Sequence, residues 1–283
     1  MDWLTGYKIP IGYWGKQFFD FLTDYFYWLF DGIALGIQSS LETVIDAVLW
    51  LPPVVVVVLA AGLAYLLHRR WQLAAGVAIG LLFVINQGYW SETVETIALV
   101  IGATAVSMAI GVPVGIAAAH RPWLFQAIRP VLDLMQTLPT FVYLIPALVL
   151  FGLGLAPGLV ATVIFAIPAP IRLTHLGVTS VPTQLVEAGE AFGATRRQLL
   201  WKVELPHAMP TIMAGLTQCI MLSLSMVVIA ALVGADGLGK PVVRALNTVN
   251  VPMGLESGLA IVVVAIILDR ICRSGTETSG AGK

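Results

Sequence analysis

Residues 134–171 read LMQTLPTFVYLIPALVLFGLGLAPGLVATVIFAIPAPI, 38 consecutive positions without a charged side chain, bounded by Asp133 and Arg172. About 20 apolar helical residues cross the hydrocarbon core of a bilayer, so the stretch is too long for one helix and suits two. The run Gly152-Leu-Gly-Leu-Ala-Pro157-Gly158 supplies the turn between them, because clustered glycine and proline punctuate regular structure. The solvent of such a hairpin is lipid. Composition extends that conclusion to the whole chain of 283 residues, which is 58% hydrophobic and 11% charged, where a soluble domain carries about 25% charged residues. Mean hydropathy is +0.90. With 15 basic and 16 acidic side chains and a net charge of −1, nucleic-acid binding through bulk charge is excluded. Cys219 and Cys272 lie 53 positions apart with no CxxC and no histidine at metal-ligand spacing, so neither a disulfide framework nor a metal site is expected.

Five more stretches are poor enough in charge to span: 51–67, 71–91, 96–120, 205–235 and 253–271, the last with Glu256 and Asp269 inside its ends. Seven spans place the two termini on opposite sides of the membrane. With the C-terminus cytoplasmic, eleven basic residues face inward (Arg69, Arg70, Arg121, Arg129, Arg172, Arg196, Arg197, Lys202, Arg270, Arg273 and Lys283). Four face outward (Lys8, Lys16, Lys240 and Arg244). The excess of inward Lys and Arg selects this orientation, N-terminus out and C-terminus in. Residues 1–50 are not a signal peptide, since Asp20, Asp24 and Asp31 interrupt any apolar core. On a helix, Asp20, Asp24, Asp31, Gln38 and Glu42 share one face, with Phe18, Phe21, Leu22, Tyr25, Phe26, Leu29 and Phe30 around the rest. That is an amphipathic helix lying along the outer interface or on the other spans; an eighth span is the alternative. The expected organisation is an N-terminal tail over 1–50, a membrane domain over 51–271 and a flexible cytoplasmic tail over 272–283.

The polar connection at 173–206 has a helical pattern of its own. After Ser180-Val-Pro182, the residues Leu185, Ala188 and Phe192 recur on one helical face, with Glu187 and Glu190 on the solvated side. Gly193 is placed to stop this helix. Thr195 and Gln198 match a capping box for a second short helix, with Leu199 and Val203 at i, i+4 and Pro206 halting it. Two short arms joined to two spans make a lever on which a soluble partner can push. A plain connector is the alternative reading of the same pattern.

Glu187-Ala188-Gly189, then Gly193, then Val203-x-Leu205-Pro206 resembles the EAA loop of the membrane subunits of ABC importers, E-A-A-x3-G-x9-I-x-L-P, at every interval. Gly189 stands where the second alanine is usual and Val203 where isoleucine is. On helix propensity alone, Gly189 loosens the first arm by up to about 1 kcal/mol relative to alanine. The segments 133–146, 167–172, 221–230 and 234–239 are similar to permeases for glycine betaine, proline betaine and choline. Residues 118–123 and 234–248 look most like the choline branch. The resemblance covers roughly residues 88–273. It implies an all-α integral membrane protein with about seven transmembrane helices of the type I importer kind. It further implies a second permease copy, a separate dimeric ATPase that binds ATP and Mg and docks on the 173–206 loop, and an external binding protein that delivers cargo. It also implies residence in a bacterial inner membrane. This chain itself is expected to bind no cofactor and to catalyse no reaction.

Gly234-x4-Gly239-Lys240 is spaced like a P-loop, but Pro241 follows where Ser or Thr must hold magnesium; an outer turn or short gating loop is the better reading. Gly76/Gly80, Gly111/Gly115 and Gly254/Gly258 are small-xxx-small pairs suited to close helix contact within one copy or between two. Pro113, Pro139, Pro146, Pro168 and Pro170 are expected to kink helices where freed carbonyls face protein or a water-filled cavity. Pro139, Pro146 and Pro168, with Gln136, Tyr143, Ser223 and Ser225, form the candidate pathway and its hinges. Glu95, Asp133, Glu256 and Asp269 lie near span ends, so the spans carry no central acid. That argues against the alternative function, an ion-coupled carrier or channel for a small cationic or zwitterionic solute.

Overall fold

The structure, a computed structural model, describes residues 10–273; Lys8, Lys283 and the tail from 274 onward lie outside the described residues. All regular structure among the described residues is helical. The N-terminal helix α1 spans Ile11–Leu49. It is followed by α2 (Pro53–His68), α3 (Trp71–Asn86), α4 (Trp90–Ala119), α5 (Pro122–Thr137), α6 (Thr140–Phe151), α7 (Leu155–Ala166) and α8 (Pro168–Thr179). Then come α9 (Thr183–Ala191), α10 (Arg196–Leu199), α11 (Leu205–Ala230), α12 (Gly239–Thr248) and α13 (Val251–Arg273).

Among the described residues, five helical runs are long and apolar enough to cross a membrane: Ile11–Leu49, Trp90–Ala119, Leu155–Thr179, Arg196–Val233 and Val251–Cys272. The pair α5–α6 becomes a sixth if its bent halves are taken as one span. The expected spans over 51–67 and 71–91 are α2 and α3, of 16 residues each, about 24 Å at 1.5 Å per residue against a core of about 30 Å. The N-terminal helix, expected at the interface, has 39 residues and non-helical angles at Phe26. Its acidic and amide residues at 20, 24, 31, 38 and 42 are exposed, and so are Phe18, Phe21, Tyr25, Phe26 and Leu29 around the rest. Leu41 and Ile45 are buried in the bundle, and the Phe30 ring meets Phe151 edge-on at 5.5 Å.

The central packing unit is α4, α7–α8 and α11. The pair Gly111/Gly115 acts within one copy: a β-carbon on Gly111 would stand 2.8 Å from the Pro170 ring, and one on Gly115 2.7 Å from the Ile171 carbonyl oxygen. The absent methyls bring α4 and α8 nearly backbone to backbone. Gly80 lets α3 approach Val263 and Ile267 of α13, whereas Gly76 and Gly258 have open space around them and Gly254 faces Ala245 at ordinary contact distance.

Pro113 sits inside the continuous 30-residue α4, and Pro168 and Pro170 lie buried in the single Leu155–Thr179 run. The break expected from the prolines is concentrated at Pro139, where α5 and α6 meet at 99°. The span expected to start at 134 therefore turns sharply at 138–139. The fifth span, expected to end at 171, runs two further turns to Thr179, because Gly177 and Val178 remain buried against α11.

Contacts sort into two ends. At one, the His68 Nε2 lies 2.9 Å from the Ile271 carbonyl oxygen, Arg172 donates to Asp133 at 2.6 Å, and Phe125 stacks on His175 at 3.6 Å. At the other, the Leu238 amide donates to Thr96 Oγ1 at 2.8 Å and the Gly154 amide to the Val233 carbonyl at 2.9 Å. These groupings agree with the alternation of sides expected from the charge-free stretches.

Candidate functional site

At the end that holds Arg172 and His175, the chain leaves the bundle after Ser180 and builds a two-armed knob. Its first arm, α9, ends where the Ala194 amide bonds back to the Gly189 carbonyl at 3.0 Å and the Gly193 amide to the Glu190 carbonyl at 2.8 Å. That pair of bonds is a Schellman cap, and its left-handed residue is Gly193, with φ +78°. The second arm opens on the expected capping box. The Gln198 amide donates to Thr195 Oγ1 at 3.3 Å, and the Thr195 amide donates to Gln198 Oε1 at 2.8 Å.

Pro206 does not halt the second arm. The turn Leu200–Glu204 is a π-helix that feeds directly into α11. The wider ring of a π turn leaves room for a proline without the usual clash with the carbonyl four residues back. The second arm and the sixth expected span are thus one helical run, Arg196–Val233.

The arms close on each other through Gly189, Leu199 and Val203. Leu199 is 5% exposed, and a β-carbon on Gly189 would lie 2.5 Å from its Cδ2 and 3.9 Å from Val203 Cγ2. The departure from the usual alanine is what admits Leu199, and it tightens the knob rather than only loosening α9. The apolar stripe beside this contact on α9 is left uncovered. Phe192 is 93% exposed and Leu185 46%, with Ala188, Glu187 and Glu190 also exposed. The outer face of the second arm is a shallow cleft lined by Thr195, Arg197, Gln198, Trp201 and Lys202. Leu205 is half-buried and Pro206 exposed at the root. There His120, at the end of α4, brings Nε2 to 2.9 Å from Glu204 Oε2, an ion-pair distance without hydrogen-bond alignment.

The candidate pathway residues do not form one group. Tyr143 is 8% exposed, and its hydroxyl donates to the Met135 carbonyl at 2.5 Å. In an unbroken helix that carbonyl would accept from the amide of residue 139, which is proline and has none. Tyr143 therefore supplies the missing donor and holds the 99° bend. Gln136 is half-buried, Pro139 exposed, Pro146 half-buried and Pro168 buried. Ser223 and Ser225 fall on opposite sides of α11: Ser223 is buried, while Ser225 is exposed and donates to the Met221 carbonyl. The exposed face of α11 carries Ala214, Gln218, Met221 and Ser225. Gln218, an amide near mid-helix, was signalled by its i, i+7 spacing to Ser225 and not singled out from sequence. The Gly234–Gly239 segment is a turn at the end opposite the knob, packed on Thr96 and followed by α12, and Lys240 pairs with Asp236.

Residues 111–272 match the family model described as binding-protein-dependent transport system inner membrane component. The chain belongs to this family. Among curated relatives of this permease, the glycine betaine transport system permease protein OpuAB of Bacillus subtilis is 45% identical over 94% of each chain. The glycine betaine/proline betaine transport system permease protein ProW of Escherichia coli is 41% identical over 97% of this chain and 77% of that one. Among solved structures, an inward-facing conformation of the MetNI methionine ABC transporter aligns with TM-score 0.57 and 26% identity, covering 64% of this chain and 93% of that one. The fold is that of a type I importer permease, as the resemblance implied.

Proposed function

We propose that this permease is the membrane subunit of an ATP-driven importer for a quaternary ammonium compound, choline or glycine betaine and proline betaine. The observation that carries the coupling role is the outward stripe Leu185/Ala188/Phe192 on a knob whose second arm is continuous with α11. An exposed phenylalanine on a knob that also exposes Glu187, Glu190, Arg196 and Arg197 suits an apolar socket with a charged rim on an ATPase, which binds ATP and Mg. The names of the relatives support the cargo class. Two copies line the path, with the exposed Gln218/Ser225 face of α11 turned toward it. A binding protein delivers cargo at the end holding Gly234–Gly239, and the knob lies in the cytoplasm.

ATP binding draws the two ATPase subunits together and the knobs with them. Each knob then moves α11 directly and α4 through Glu204 and His120. An ATPase drives the change because it contacts the knob differently in its two states. Glu187→Lys is expected to insert normally yet lose both ATPase co-purification and uptake. The deciding experiment expresses the chain with its genomic neighbours and competes labelled choline against glycine betaine, proline betaine and carnitine. Uptake that ignores ATP would overturn the importer reading.

A further inference from the structure

His120 stands where α4 ends against the second arm of the knob, and it uses both ring nitrogens. Its Nδ1 lies 2.9 Å from the Ile116 carbonyl oxygen one turn back, and its Nε2 lies 2.9 Å from Glu204 Oε2 in the π turn. A carbonyl oxygen only accepts, so Nδ1 carries the proton of the first contact. A neutral imidazole has one N–H; with that proton on Nδ1, Nε2 would hold a bare lone pair against the carboxylate. The second contact therefore needs one proton more than a neutral ring and an ionised carboxyl have between them. Glu204 has no easy alternative. Its side chain is 12% exposed, and Oε2 is buried without a hydrogen bond. The helices meeting here pack through an apolar cluster that includes Ile116 and Ala119 from α4, Val178 from α8, and Leu205 and Ala208 from α11. An unpaired carboxylate in such a place is costly. Among the described residues, the other charges of these elements take no part in the contact. Arg121 beside His120, and Lys202 and His207 on either side of Glu204, are exposed, as are Glu187, Glu190, Arg196 and Arg197 of the two arms. On α8, His175 is stacked on Phe125 and Arg172 is paired with Asp133.

We infer that His120 and Glu204 form a proton-dependent tie between α4 and the knob, through which a rise in cytoplasmic pH weakens the coupling of ATP hydrolysis to transport. The inference rests on the importer reading and deepens it by naming a regulator of the coupling knob. Histidine is the side chain whose charge changes between pH 5 and 8. With the proton present, imidazolium and carboxylate attract, and the end of α4 follows the second arm. With the proton gone, the same atoms repel and Glu204 is left unpaired. The second arm then moves α11, with which it is continuous, without α4. The tie is thus held at the acid end of this range and lost at the alkaline end.

The test measures cargo-stimulated ATP hydrolysis by the permease assembled with its ATPase and binding protein in nanodiscs, at about pH 5.5 and about pH 8. The parent's ratio of the two rates is compared with those of His120→Gln and Glu204→Gln, in which an amide can bond its partner at either pH. The pH dependence of the ATPase itself is common to all three and cancels. The acid-to-alkaline ratio of the parent is expected to exceed that of either variant by at least about threefold. The double variant is expected to match the singles rather than add to them. Equal ratios, or changes that add, overturn the tie and leave the importer reading standing. Hydrolysis that cargo never stimulates overturns that reading and this inference with it. A second measurement needs no substitution. In the parent assembly, hydrogen-exchange protection of the amides of residues 200–205, taken relative to α7, is expected to fall at least about threefold from the acid to the alkaline condition. Protection that stays constant contradicts the proton-dependent tie.

Discussion

Leu199 packs on the bare backbone of Gly189, its Cδ2 standing 2.5 Å from where a β-carbon would be. This contact joins the two arms of the knob, and the second arm runs on into α11. Gly189→Val is expected to push the arms apart at a cost of about 1–3 kcal/mol, read as faster proteolysis between residues 180 and 204. Adding Leu199→Ala to that variant is expected to recover part of the protection. Losses that simply add would show that the two residues do not bear on each other.

Gly193 presents a separate problem, since a β-carbon there meets nothing within 4 Å while φ is +78°. Backbone conformation, not space, sets its tolerance. Asn enters the left-handed region more easily than a β-branched residue. Gly193→Asn is thus expected to keep most ATPase co-purification and Gly193→Val to lose it. The reverse order would refute the capping role.

Tyr143→Phe removes the donor that stands in for the missing amide of Pro139. Membrane insertion is expected to survive, with stability lower by about 1–2 kcal/mol and uptake reduced as the bend loosens. A variant matching the parent in melting temperature and uptake would show that the bend needs no stitch.

Arg172 and Asp133 tie α8 to α5, but their side chains are 36% and 54% exposed. Solvent screening limits such a pair to about 0–1 kcal/mol. Arg172→Ala is expected to leave thermal stability nearly unchanged, while Phe125→Ala, which removes the stack on His175, costs more. Equal and large effects of both would mean that the pair is worth more than its exposure allows.

The sequence showed those features that depend on local spacing. Charge-free runs marked lipid-facing helices, and Thr195 with Gln198 marked a helix start that the structure contains. What it hid depends on which way a helix faces. Leu185, Ala188 and Phe192 share a stripe on any helix, but only the structure shows that the second arm covers Gly189 and leaves this stripe exposed. Ser223 and Ser225 are neighbours in sequence, yet a two-residue step turns a helix by about 200° and separates them. The helical extension to Thr179 was masked by polar residues that remain packed on α11. Pro206 looks like a stop in the sequence because a π turn ahead of it leaves no mark in composition.

The most direct measurement of coupling places a photo-activatable benzoylphenylalanine at position 192, where the native ring is 93% exposed. The chain is irradiated in membranes together with its ATPase and binding protein. An adduct between residue 192 and the ATPase subunit is expected. An intact, transporting assembly whose residue 192 reacts only with lipid, or with the binding protein, would contradict the coupling role of the knob.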